Sequence, residues 1–150
     1  MTAAKRPRFR ELSREEVGAF LTSHLHGRIA YSFHDRVDIE PIHYVYHDGW
    51  IYGRTAPGAK LTLLQRSPWV AFEVDEVHGM FDWTSVVAKG TVYFVSEGAT
   101  GHSEETFALV LARLRTLVPA TLTDDDPVPE RTVLFRLFVD DVRGREASQA

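Results

Sequence analysis

The chain has 150 residues, of which 44% are hydrophobic and 25% charged, so it suits one folded domain with one core rather than a disordered segment. A net charge of −4 excludes a basic surface large enough for nucleic acid, and the absence of cysteine excludes disulfides, thiolate nucleophiles and cysteine-held metals. No apolar run reaches the roughly 18 residues of a membrane span and the start carries no hydrophobic signal core, so no membrane partner and a cytoplasmic address are expected.

Residues 1–11, rich in Lys and Arg, read as a flexible basic arm, followed by a domain over 12–146 and a tail over 147–150. Ser13 and Glu16 form a capping box and Leu12 with Val17 a hydrophobic staple, which predicts a helix fading before Gly27. The apolar period then becomes two. Ile29, Tyr31 and Phe33 make a short strand, and His34-Asp35-Arg36 a tight turn. A second strand is expected from Val37 to Tyr46, apolar on both faces. Pro41 in its middle predicts a bulge or a free edge, since proline cannot donate to a ladder. Asp48-Gly49 is a hairpin turn, and Trp50-Ile51-Tyr52 returns as a strand.

A short helix is expected over Ala56–Gln65, with Pro57 in its first turn, and a strand from Pro68 through Val74. Trp83 to Val95 reads as a long strand in which Gly90 marks a bulge or bend. Phe107, Val110, Leu111, Leu114 and Leu117 follow the helical spacing over Ser103–Val118. A loop rich in Asp and Pro, Pro119–Glu130, leads to a last strand, Val133–Val139. Its Asp124-Asp125-Asp126 run reads as a solvated acidic loop. About six strands joined mostly by tight turns imply a small closed barrel with mostly antiparallel pairing. One side of it would be covered by helices or by a second subunit.

Metalloprotease, nucleophile-elbow, Walker and dinucleotide motifs are all absent, and the seven histidines are scattered, so no metal site is expected. The most informative stretch is Tyr52-Gly53-Arg54-Thr55-Ala56-Pro57-Gly58-Ala59-Lys60. It passes from a strand end through small residues into a helix, which aims backbone N–H groups and the positive helix end at one point. Arg54, Thr55 and Lys60 add a fork of donors, a hydroxyl and a point charge, suiting a phosphate monoester; two solvated cations on a plain loop are the alternative. Phe81-Asp82-Trp83-Thr84-Ser85-Val86 places aromatics and hydroxyls at a strand start. Trp83 there serves either as an interface anchor or as a ligand platform. A phosphate at one end and a flat surface at the other describe flavin mononucleotide.

The ordered set of motifs resembles the flavin-binding split-barrel family, the pyridoxamine 5′-phosphate oxidase-like superfamily, and within it the nitroimidazole-reductase-like branch. It comprises Leu12-Ser13-x-Glu15-Glu16, Gly27-Arg28-Ile29-Ala30, Glu40 to Tyr46, Asp48-Gly49, Ala56-x-Gly58-x-Lys60, Pro68 to Asp75, Ser85-Val86-Val87-x-x-Gly90 and Val142 to Arg145. The resemblance implies a mainly β fold with flanking helices, a six-stranded, mostly antiparallel split β-barrel. It implies a homodimer with FMN at the subunit boundary and a small-molecule electron donor or acceptor. Arg54, Thr55, Lys60 and Leu61 would take the phosphate. Glu40, Pro41 and Ile42 would lie along the isoalloxazine ring, with Trp83, Ser85 and Val86 nearby. Arg54 stands where many members of the branch carry histidine, so no histidine chemistry is carried over, and no catalytic residue is assigned. A deazaflavin-dependent reductase, with Arg28, Arg54, Lys60 and Arg66 lining a basic groove, is the alternative. So is a non-catalytic flavin- or haem-binding protein, with His43 or His24 as axial ligand. Phe33, Phe72, Phe94, Phe107 and Phe135 are expected in the core, and Tyr44, Trp50, Phe81 and Trp83 at the interface and flavin pocket.

Overall fold

The computed structural model describes residues 5–95 and 102–149. Eight strands alternate with three helices in the order β1 (Pro7–Glu11), α1 (Arg14–Ser23), β2 (His26–Phe33), β3 (Arg36–His43), β4 (Val45–His47), β5 (Trp50–Thr55), α2 (Ala59–Arg66), β6 (Trp69–Gly79), β7 (Asp82–Val95), α3 (His102–Arg115) and β8 (Val133–Gln149). Neighbouring strands follow the path β3-β2-β6-β7-β8-β5-β4, with β1 paired to β8. Every pairing among the described residues is antiparallel, as short connections require. The class is the split barrel expected from the sequence, with eight strands in place of six.

Both additional strands arise from partners distant in the sequence. Residues 7–11, expected as a flexible arm, pair in register with 145–149, so the arm and the expected tail form one ladder. Phe9 anchors it, its ring lying 6.5 Å from that of Phe81 and 6.3 Å from that of Trp83. Residues 1–4 of the arm and residue 150 of the tail lie outside the described residues. The expected strand 37–46 is split into β3 and β4 at Tyr44, whose N–H donates to Leu25 O and whose hydroxyl donates to Leu21 O at 2.6 Å. Tyr44 therefore turns into the core instead of the subunit surface. Pro41 stays in register opposite Arg28, and β3 is an end of the sheet path, so the free edge is the reading that holds.

α1 begins as expected: Ser13 Oγ accepts from Glu16 N–H, and the Glu16 carboxylate accepts from Ser13 N–H. α2 starts later than expected, at Ala59, because Gly58 takes a φ of 159° outside the helix and Pro57 precedes it. β8 runs ten residues beyond the expected end, Val139, to Gln149, because β7 and β1 supply partners on its two edges.

The core lies on one face of the sheet, where Ile29, Tyr31, Phe72, Val74, Val86, Val92, Phe135 and Leu137 gather beneath α1 and α2. Burying each such side chain contributes about 1.5–3 kcal/mol. A second, smaller cluster joins Val110 and Leu114 of α3 to Tyr52, Val95 and Leu134 on the opposite face. Of the phenylalanines expected inside, Phe72 and Phe135 are buried, Phe94 and Phe107 flank the two clusters, and Phe33 is half-exposed. No helix of the described residues is long and apolar enough to cross a membrane.

Gly90 carries the bulge that the sequence predicts. The register slips between Lys89 and Gly90, and a Cβ at Gly90 would stand 1.7 Å from Phe138 O. Backbone on that side cannot yield. Gly90→Ala is expected to destabilise the fold by several kcal/mol, on the order of 3 or more, in chemical denaturation. Gly18→Ala, where nothing lies within 4 Å, should instead be neutral or stabilising by up to about 1 kcal/mol. Equal midpoints for the two variants would contradict this account.

Candidate functional site

The free edge of β3 and the first turn of α2 meet at one ion pair. Lys60, the second residue of α2, extends its half-buried ammonium to the Glu40 carboxylate on β3. Glu40 stands opposite Ile29 on the inward face of the sheet, beside Tyr31, whose hydroxyl lies 3.4 Å from both Glu40 and Asp38. Burial lowers the proton affinity of Lys60, and the charge of Arg131 lowers it further, while Asp38 works in the opposite direction. Lys60 is thus a desolvated cation within reach of an acid on one side and a second cation on the other.

Those two neighbours line different cavities. Asp38 borders an open cavity of about 880 Å³ beneath the β2–β3 hairpin, walled by Tyr31, Phe33, Val37 and Leu63. Arg131 borders a smaller one of about 250 Å³ under the loop between α3 and β8. The larger lies within the size range of cofactor sites.

Arg54 takes a different role from its neighbour. Its Nη1 and Nη2 donate to the two oxygens of Asp126 at 2.6 and 2.8 Å, and Nη1 also approaches Arg131 O at 3.5 Å. The Asp126 side chain is 1% exposed and that of Arg54 9%. Asp126 further accepts the N–H groups of Leu122 and Val128, so its carboxylate receives four hydrogen bonds. The Arg54 guanidinium is the leading reason that its proton affinity falls far below the usual carboxylate range, with the two backbone N–H donors adding to it. This corrects the reading of the acidic run. Asp124 and Asp125 are exposed, but Asp126 is a buried structural anion. Arg54 keeps only Nε and one Nη2 hydrogen for any ligand. Thr55 is buried at the end of β5, and Leu61 is half-buried in α2.

The remaining expected residues divide between the two faces. Ile42 is buried in the core, and Val86 has no exposed surface. Pro41 is exposed on the outer face. Trp83 is half-buried on the same face, and Ser85 Oγ donates to Glu73 at 3.4 Å. Three strand spacings, roughly 14 Å, separate β3 from β7. The chain therefore assembles Glu40, Lys60, Thr55 and Leu61 near the α2 start and leaves Trp83 and Ser85 elsewhere. The four cations of the alternative basic groove are also dispersed. Arg28 pairs with Glu73 and Asp75, and Arg66 lies 6.0 Å from the Phe33 ring. His24 is held between Phe20 O and Glu76, while His43 packs its ring 5.3 Å from that of His26.

Sequence reasoning missed Tyr31, Asp38, Asp126 and Arg131. No motif marks them. Arg131 follows the acidic loop and reaches the site only because Asp126 folds that loop back onto β5.

The sequence model of the pyridoxamine 5′-phosphate oxidase family matches residues 13–146. The chain belongs to this family. No curated protein matches it. Among solved structures of this fold, an FAD-binding protein from Mesorhizobium loti is 28% identical with a TM-score of 0.71, over 93% of this chain and 99% of that one. A pyridoxamine 5′-phosphate oxidase-like protein from Corynebacterium glutamicum is 26% identical with a TM-score of 0.67, over 95% and 100% of the two chains. A 5-nitroimidazole antibiotic resistance-type protein from Bacteroides thetaiotaomicron, 16% identical with a TM-score of 0.67 over 95% and 89%, shares the fold. The family match spans every residue of the Lys60 locus and of the two cavities.

Because four donors converge on one buried carboxylate, Asp126→Asn is expected to cost about 3 kcal/mol at neutral pH, since it leaves Arg54 buried and unpaired. The depressed proton affinity means that the contribution is present above the unfolded carboxylate value and lost as pH falls through the folded one. Denaturation curves of wild type and variant should therefore converge only below the ordinary carboxylate range. A gap that closes between pH 5 and 7 would contradict the assignment.

Proposed function

We propose that the protein binds FMN and uses it in the oxidoreduction of a small molecule. One observation carries this reading: Lys60, desolvated at the first turn of α2, faces the unpaired edge of β3 beside a cofactor-sized cavity. A phosphate monoester suits this position. Its charge would compete with Glu40 for the Lys60 ammonium, and no side chain caps the N-terminal N–H groups of α2. Thr55 and Leu61 would flank the phosphate, with Arg54 contributing its field and its remaining hydrogens. The β3 edge around Glu40, Pro41 and Ile42 leaves alternate N–H and C=O groups without a second strand, which suits the polar rim of an isoalloxazine ring. When bound, the flavin supplies the electron transfer; this chain's residues hold its phosphate, orient its ring and exclude water.

The separation of Trp83 and Ser85 from Lys60 supports a homodimer, in which a second copy brings those residues to the flavin. The outer face suits such a contact. Val37 and Ile39, 78% and 59% exposed, lead across Ala30 and Ala71 toward exposed Trp69 and Phe138. An apolar patch of this kind, continuous over several strands, is normally covered.

Purified protein is expected to show flavin absorbance or to acquire it on incubation with FMN, and the released cofactor to be FMN rather than FAD. Lys60→Ala should weaken retention about tenfold or more, the loss of one charge-assisted contact, while Lys5→Ala, at an exposed residue outside the site, should not. Protein that takes up no flavin, or equal retention by the two variants, would refute the reading. Light scattering should give a dimer that holds flavin; a monomer that holds it equally well would refute the shared site.

A further inference from the structure

Arg131 is a half-buried cation at the site for which no acid partner stands among the described residues. Arg54 is spent on Asp126 and Lys60 on Glu40. Arg131 is half-buried, and its side chain has no ion pair or hydrogen bond among the described residues. A guanidinium has five donors, so one held out of bulk water without an acceptor is poised to receive one.

The cavity that Arg131 borders is small and mostly apolar. Its volume is about 250 Å³, and its walls are Leu25, Leu114, Leu117, Val118 and Val128, with His43 at one side. At about 30 Å³ per liquid water this is room for roughly eight waters, or a ligand on the order of a dozen heavy atoms. A flavin is too large for it. The other ionisable groups on the wall add no net charge. Arg54 is neutralised by Asp126, and burial, with His26 and Arg131 adding to it, pushes His43 toward its neutral form. One positive charge in an apolar chamber matches one negative charge on an apolar body. Guanidinium and carboxylate planes match in a two-point hydrogen bond, whereas a dianion would leave a charge unpaired against leucine and valine.

We propose that this cavity binds a small monocarboxylate with an aliphatic or aromatic body, its carboxylate on Arg131 and its apolar part among Leu114, Leu117 and Val128. Its role as substrate site rests on the flavin reading, because only the charge on Lys60 links the two cavities; the binding itself does not. His43, on the same wall, can donate its ring N–H to the carboxylate as a second contact.

The test uses 3-phenylpropionate and its neutral counterpart 3-phenylpropanol, titrated calorimetrically into the full chain with and without bound flavin. The acid is expected to bind at least about tenfold tighter than the alcohol, and Arg131→Gln to remove that preference while flavin absorbance is retained. Arg131→Lys should restore part of it. Leu117→Trp, which fills the cavity, should block the acid without releasing flavin; circular dichroism shows whether each variant is folded. No binding of the acid by wild type, equal binding of acid and alcohol, or an unchanged preference in folded Arg131→Gln overturns the proposal. So does loss of flavin from folded Arg131→Gln, which would put Arg131 in the flavin site. If the acid binds as expected to a chain that takes up no flavin, the cavity assignment stands and the flavin reading falls.

Discussion

A carboxylate with almost no solvent contact must be matched by donors or it becomes protonated, and Asp126 meets that condition through Arg54, Leu122 N–H and Val128 N–H. The arrangement around the site depends on this. The chain between α3 and β8 folds back because its acid must reach an arginine on β5. Folding back roofs the small cavity, places Arg131 beside His43 and Lys60, and seats Leu122, at a φ of 57°, against the α3 cluster. One ion pair therefore sets the position of a loop that contains no regular structure of its own.

Around that pair the charges are distributed unequally. Three cations have their acid: Arg54 with Asp126, Lys60 with Glu40, Arg28 with Glu73 and Asp75. These pairs differ in what they can release. The Arg54 pair is sealed and geometrically complete, so it acts as framework. The Lys60 pair lies at an open strand edge on half-buried side chains, where an incoming anion can compete for the ammonium. Arg131 has no acid partner among the described residues. The site thus grades from fixed to exchangeable to vacant charge across a few residues.

Much of the fold was legible because its determinants are local. The capping box of α1, the bulge at Gly90, the hairpin at Asp48-Gly49 and the free edge at Pro41 each follow from one or two residues whose backbone options are narrow. Errors arose where partners far along the chain decide. Residues 7–11 lack a strand pattern strong enough to stand alone, and they pair only because 145–149 lie alongside. Tyr44 reads as one more alternating residue of a strand, yet its hydroxyl finds Leu21 O and draws it inward. The candidate site shows the same division. Glu40 and Lys60 belong to separate motifs, read as ring and phosphate contacts, and only the fold joins them in an ion pair.

The sequence by itself determined the class of the fold and the family, because periodicity, turn chemistry and ordered motifs are properties of short stretches. Only the tertiary structure decided which cation is free. Arg54 and Arg131 look equally available in the chain, but Asp126 is 72 residues from Arg54 and finds it through loop closure. Neutralisation of charge is a property of contact in space, and sequence separation carries no record of it.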